Sequence, residues 1–182
     1  MSIPNIITSL RVILIPVLVL IFYLPFEWRH LAAALVFIIA GISDWLDGYI
    51  ARKWDQHTEF GAFFDPVADK LIVAVALILL IEEHASIWLT IPAMVIIGRE
   101  IVISALREWM AELGKRTSVA VSFVGKLKTT LQMAAIIVLL LDDPNSLVAK
   151  LGLVLLYLAV VLTLWSMFVY LRAAWGDLTK DI

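Results

Sequence analysis

Residues 151–171 read LGLVLLYLAVVLTLWSMFVYL, 21 residues without a charge. A helix needs about 20 mostly apolar residues to cross the hydrocarbon of a bilayer, so this run predicts a membrane span unaided. The other charge-free apolar runs are shorter: Val12–Phe26 has 15 residues, Leu31–Ser43 13, Leu71–Ile81 11, Ala85–Gly98 14 and Thr129–Leu141 13. Each reaches spanning length only by taking in charged residues at one end. These are Arg11 in the first, Asp44 and Asp47 in the second, and Asp65, Asp69 and Lys70 in the third. The fourth takes in Arg99 and Glu100, and the fifth Lys126 and Lys128. The pattern predicts an all-α integral membrane protein with six transmembrane helices, near 5–26, 31–52, 62–82, 86–109, 120–141 and 147–172.

Composition supports this reading. The chain has 182 residues, 63% hydrophobic and 16% charged, against about 25% charged in soluble domains. The absence of cysteine excludes disulfides, thiolate-bound zinc, iron–sulfur clusters and thiol nucleophiles. A net charge of −2 with no long basic tract argues against a nucleic-acid partner. Met1–Arg11 lacks a basic leader and no small-residue cleavage site follows, so no secretory signal peptide is expected. No internal repeat or low-complexity tract interrupts residues 1–182, and a single membrane domain is expected.

Positive residues set the orientation. One arrangement puts the N-terminus, the loops at 52–61 and 107–119 and the C-terminus on one side, with 12 of the 14 lysines and arginines; only Arg29 and Lys150 fall opposite. Both termini should therefore be cytoplasmic. Charges within a span are expensive and face a cavity or one another. Five helices carry theirs at the cytoplasmic end, so a polar cavity is expected on that side.

Four aspartates fall within that zone. Asp44 and Asp47 are three apart, Asp65 and Asp69 four apart, and either spacing puts both side chains on one helix face. Two such pairs on facing helices offer oxygen ligands suited to hard divalent cations. Gly48 and Ala51 follow Asp44 by four and seven positions, and Gly61 precedes Asp65 by four; these small residues leave room beside the carboxylates. Together they form the pattern D-x2-D-G-x2-A-R-x8-G-x3-D-x3-D, which includes Arg52.

That pattern resembles, at every fixed position, the signature of the CDP-alcohol phosphotransferase family. Asn5, Thr8 and Arg11 look like the family's N-terminal nucleotide-contacting segment. The stretches from Arg99-Glu100 through Arg107–Gly114, Val119–Ser122 and Gly125–Thr129 are similar to the bacterial phosphatidylglycerophosphate synthase branch. The resemblance covers nearly the whole chain.

The resemblance implies an enzyme of the bacterial inner (cytoplasmic) membrane that transfers a phosphatidyl group from CDP-diacylglycerol to sn-glycerol 3-phosphate and releases CMP. It implies two divalent cations (Mg2+ or Mn2+) held by Asp44, Asp47, Asp65 and Asp69, with Asp69 also the catalytic base. Donor binding would fall to Asn5, Thr8, Arg11, Gly48, Ala51, Arg52 and Gly61, and acceptor-phosphate binding to Arg99, Arg107, Lys126 and Lys128. A homodimer is implied as well. Another acceptor, such as inositol phosphate or a phospholipid, fits the same signature. A divalent-cation transporter could use the same aspartates, although transport commonly works from midplane sites between internal repeats.

Plainer readings stand beside these. Asp65 before Pro66 could cap a helix N-terminus. Gly48 and Gly61 could serve close helix packing, and the basic residues of 107–128 could sit among lipid headgroups. His30, His57 and His84 share no ligand spacing. Glu82, Glu83, Asp142 and Asp143 read as solvated loop charges on the outer side.

Overall fold

The computed structural model describes residues 3–54, 59–112 and 123–178, all in helices or the short turns between them. Six helices follow in order: α1 (Ile3–Tyr23), α2 (Arg29–Trp54), α3 (Glu59–His84), α4 (Ile87–Glu112), α5 (Phe123–Leu140) and α6 (Leu147–Leu178). All six expected helices are present. Among the described residues, two stretches, Ile87–Glu112 and Leu147–Arg172, are long and apolar enough to cross a membrane by length and composition, and Thr8–Tyr23 within α1 and Leu127–Leu140 within α5 are shorter apolar stretches.

Local chemistry explains the boundaries. α1 stops at Tyr23, earlier than expected. Leu24 N–H closes the last turn on the carbonyls of Leu20 and Ile21, and Pro25 has no N–H to continue the ladder. Only Ala85 and Ser86 separate α3 from α4. Ala85 reverses the chain at a φ of 44°, the left-handed region that glycine adopts without a Cβ penalty. Ser146 caps α6: its Oγ accepts from Ala149 N–H at 2.9 Å, satisfying a donor the helix leaves open. α6 continues six residues past the expected 172.

α3 begins six residues before Asp65. Asp65 and Pro66 therefore lie inside the helix, and the cap reading of Asp65 is replaced by a tertiary one, given below.

The helices pack as a closed ring in which α1 touches α2 and α3, α3 touches α4, α4 touches α6, α6 touches α5 and α5 touches α2. α3 also reaches across to α2 and α5. The shared core is aliphatic, including Leu18, Phe37, Leu77, Leu80, Ile96, Ile136 and Leu139, all fully buried. The α5–α6 pair is tightly packed. At Gly152, a Cβ would stand 2.7 Å from Leu139 Cγ and 3.1 Å from its backbone nitrogen. Large apolar side chains, among them Leu20, Ile78, Met94, Val161 and Trp165, point outward and exposed. In water such a coat would be a liability.

The outer end differs from the expectation of solvated charges. Glu83 is largely buried and accepts from Arg29 at 2.8 Å, with His30 3.6 Å away. Tyr23 donates to Glu82. The short outer connections hold these partners within reach, so the acids pair α1 and α2 with α3 instead of meeting solvent alone.

Candidate active site

A cavity of about 920 Å³ opens between α2, α3, α4 and α5. Its lining sorts by position along the antiparallel helices. Polar residues line the end where α2 and α4 finish and α3 and α5 begin: Asp44 on α2, Asp65, Asp69 and Lys70 on α3, Glu100 and Arg107 on α4, and Lys128, Thr129 and Gln132 on α5. Further along the axes the wall turns apolar, with Ile38, Ile72, Val73 and Ile137. The void thus has a charged end and an apolar end.

On the acidic side, α1 stands behind the carboxylates. Thr8 and Arg11 are both fully buried. Thr8 Oγ1 donates to Asp65 Oδ1 at 2.6 Å. Arg11 Nη1 donates to Asp69 Oδ1 at 2.6 Å and lies 3.4 Å from Asp44 Oδ1. One turn of α1 separates Thr8 from Arg11, matching the one turn between Asp65 and Asp69, so the two contacts run side by side between packed helices. The sequence put Thr8 and Arg11 beside the nucleotide. In the structure they orient acids that themselves line the cavity, and a buried guanidinium offsets part of the repulsion between Asp44 and Asp69.

The basic side is organised by Glu100. Its Oε1 accepts from Arg99 Nη1 and from Lys128 Nζ, each at 2.7 Å. Arg99 also donates to Ser166 on α6 at 3.3 Å. It is thereby drawn toward α6 and is absent from the cavity lining, whereas Lys128 lines it. Arg107 lines it too, donating to Tyr170 Oη at 2.7 Å with its guanidinium carbon 5.1 Å from the centre of the Tyr170 ring. Lys70 Nζ donates to Ser104, whose hydroxyl bonds the Glu100 carbonyl.

Of the residues singled out from sequence, Asp44, Asp65, Asp69, Arg107 and Lys128 share one cavity, with Thr8 and Arg11 directly behind it. Gly61 is buried in the first turn of α3. Asp47, Gly48, Ala51 and Arg52 lie on α2, Asn5 on α1 and Lys126 on α5, but their side chains fall outside the described residues. So do Lys115, Arg116 and the stretch Val119–Ser122. Sequence reading gave no site role to Lys70, Glu100 or Gln132. For Gln132 the available signal was its place one turn after Lys128, on the same face of α5.

Among the described residues, no group of three or more histidine, aspartate or glutamate side chains is assembled to hold a metal ion. The donor chemistry nevertheless suits one. Asp44, Asp65 and Asp69 offer oxygen only, all three line the cavity, and two of them already converge on a cationic nitrogen. Such a set matches hard divalent cations.

Comparison with known proteins identifies the family. The family model for CDP-alcohol phosphatidyltransferase matches residues 1–165. A Salmonella choleraesuis protein named CDP-diacylglycerol–glycerol-3-phosphate 3-phosphatidyltransferase is 59% identical over 97% of both chains. Proteins of the same name from Shigella flexneri serotype 5b, at 58% over 97% of both chains, and from Sodalis glossinidius, at 57% over 98% of this chain and 97% of its own, match as well. The signature aspartates, the match along most of the chain and the close full-length relatives agree: the chain belongs to the CDP-alcohol phosphatidyltransferase family.

Proposed function

We propose that this protein is a phosphatidylglycerophosphate synthase, transferring the phosphatidyl group of CDP-diacylglycerol to sn-glycerol 3-phosphate. The carrying observation is the single cavity in which Asp44, Asp65 and Asp69 face Lys128 and Arg107. Phosphoryl transfer to a phosphorylated alcohol needs both sides: an acidic site for cations and a proton acceptor, and a basic site for the acceptor's own phosphate. The close relatives carry this activity in their name.

In the proposed reaction, a primary hydroxyl oxygen of the acceptor bonds to the β-phosphorus of the donor. The bond from that phosphorus to the bridging oxygen breaks, and CMP leaves with the electron pair. Asp69 takes the hydroxyl proton, and Arg11 holds that carboxylate in place. Asp44, Asp47, Asp65 and Asp69 would hold two divalent cations, Mg2+ or Mn2+, which supply Lewis-acid stabilisation of charge on the phosphoryl oxygens and the leaving group. Lys128 and Arg107 bind the acceptor phosphate, arginine through its fork and lysine as a point charge; the family resemblance adds Lys126 and Arg99, and Arg99 acts from outside the cavity lining through the Glu100 it shares with Lys128. Asn5, Thr8, Arg11, Gly48, Ala51, Arg52 and Gly61 serve the donor, Thr8 and Arg11 by way of the aspartates they hold.

The same reading makes residues 1–182 one multi-pass domain of the bacterial cytoplasmic membrane, both termini and the charged end of the cavity on the cytoplasmic side. The outward apolar side chains support immersion in lipid, and the lysine and arginine distribution supports the orientation. The apolar end of the cavity suits the lipid portion of the donor, and its charged end suits substrates arriving from the cytoplasm. The homodimer remains part of the proposal on family resemblance.

Purified protein in detergent, given CDP-diacylglycerol, glycerol 3-phosphate and Mg2+ or Mn2+, should release CMP, and chelation should stop it. Inositol phosphate or a phospholipid offered in competition should not be consumed. Absence of CMP release, with divalent flux into proteoliposomes, would overturn the reading in favour of a transporter.

A further inference from the structure

Gln132 sits in the cavity wall one turn of α5 beyond Lys128. It is only 5% exposed, and its Oε1 is buried without a hydrogen-bond partner among the described residues. A buried amide oxygen left unpaired carries a penalty of roughly 1–3 kcal/mol, and such an atom in a cavity wall marks a place where a ligand donor belongs. The nearby Lys128 Nζ donates to Glu100 and not to Gln132, and it keeps further N–H groups for a phosphate.

The chemistry of the substrates narrows what that donor is. Oε1 accepts hydrogen bonds, so its partner must carry an O–H or N–H. The diacylglycerol and pyrophosphate portions of the donor lipid present only acceptors, and its hydroxyls and amine lie in the cytidine, assigned in the proposed function to residues of α1, α2 and the start of α3 and not to α5. Glycerol 3-phosphate presents two hydroxyls: the primary one reacts, and the secondary one stands between it and the phosphate. Lys128 and Gln132 are four residues apart, about one turn of α5, so both side chains leave the same face of the helix. A phosphate at the first residue therefore brings a nearby hydroxyl to the second.

Resting on the proposed transferase reading, we infer that Gln132 is a specificity-determining residue whose side-chain oxygen accepts the C2 hydroxyl of the acceptor. It selects a phosphorylated glycerol over phosphorylated alcohols lacking that hydroxyl, and it holds the reacting primary hydroxyl toward the aspartates.

The test compares glycerol 3-phosphate with 1,3-propanediol phosphate, which keeps the phosphate and the primary hydroxyl but lacks the C2 hydroxyl. Wild-type protein in detergent, with CDP-diacylglycerol and Mn2+, should prefer glycerol 3-phosphate by about 10- to 100-fold in kcat/KM, because the analogue leaves Oε1 unpaired. In Gln132→Met the preference should fall below about 3-fold, while the KM for CDP-diacylglycerol stays unchanged. Gln132→Glu keeps an acceptor oxygen and should keep the preference. Wild-type protein that uses both acceptors equally overturns the inference without any variant, and so does a Gln132→Met enzyme that retains the full preference. Wild-type protein that releases no CMP with glycerol 3-phosphate instead overturns the transferase reading itself.

Discussion

Arg11 and Asp69, 58 positions apart in sequence, meet through a 2.6 Å contact from Nη1 to Oδ1. The arginine side chain is 1% exposed and the aspartate 40%, so the cation belongs to the protein interior and the carboxylate to the cavity. Removing Arg11 strands the acids while leaving their access to solvent intact. Breaking a fully buried pair costs about 3–5 kcal/mol; with Asp69 and Asp44 partly solvated, Arg11→Met should cost about 1–3 kcal/mol. Turnover should fall at least about 100-fold, because a misplaced carboxylate is costly even at 1 Å. Thermal unfolding in detergent and CMP release check the two effects separately. A variant with normal turnover would remove Arg11 from the positioning role.

Thr8 gives a finer version of the same test. Thr8→Val keeps the shape and deletes the hydroxyl that donates to Asp65. The lost bond to a charged acceptor is worth about 1.5–3 kcal/mol. Thr8→Ser keeps the donor and should retain most activity. If valine and serine variants behave alike in kcat, the hydrogen bond carries no catalytic weight and Thr8 merely packs.

On the basic side, Lys128→Met and Arg107→Met should each raise the KM for glycerol 3-phosphate by about 10- to 100-fold and leave that for CDP-diacylglycerol nearly unchanged, the pattern of lost acceptor binding. Tyr170→Phe preserves the ring under Arg107 and removes only the hydroxyl that accepts its hydrogen bond, so its effect should be several-fold smaller. Equal increases in KM for both substrates would argue against a dedicated acceptor-phosphate pocket.

The sequence made the helices and the acids legible for physical reasons. Charge-free runs show where apolar spans lie, and 3- and 4-residue spacing shows which carboxylates share a face. Asp44, Asp65 and Asp69 were found this way, and the structure brings them to one cavity. It was silent on contacts between helices distant in the chain. Nothing in the order of residues says that Thr8 meets Asp65, that Arg99 turns toward Ser166 while Lys128 keeps to the cavity, or that Glu83 is covered by Arg29. Those facts depend on helix rotation and neighbour choice. Intrahelical periodicity constrains the first only loosely and the second not at all.

Ser146 tests the account of α6 away from the site. Its Oγ satisfies the Ala149 N–H, and Ser146→Ala should destabilise the protein by about 1 kcal/mol. For a chain of this size that is about 2–4 °C in Tm. Kinetic constants should not change, since α6 enters the cavity through no lining residue. A drop in kcat at unchanged Tm would contradict the assignment of Ser146 as a cap.

Two glycines separate helix packing from cavity shape. At Gly152 a methyl group would meet Leu139 at its branched Cγ, 2.7 Å away, and at its backbone nitrogen. Neither atom can retreat without moving α5 from α6. At Gly41 the only close neighbour among the described residues is the terminal methyl of Met133, at 2.9 Å, which can swing aside because methionine is long and unbranched. Gly152→Ala should therefore cost about 1–3 kcal/mol and lower the Tm by several degrees, with KM values preserved in the fraction that folds. Gly41→Ala should leave the Tm nearly unchanged. Because Gly41 and Met133 both line the cavity, that variant should instead raise the KM for the lipid donor. Thermal unfolding and donor titration of both variants check this double dissociation: equal Tm losses, or an unchanged donor KM in Gly41→Ala, would show that the α2–α5 contact is structural packing and not part of the substrate wall.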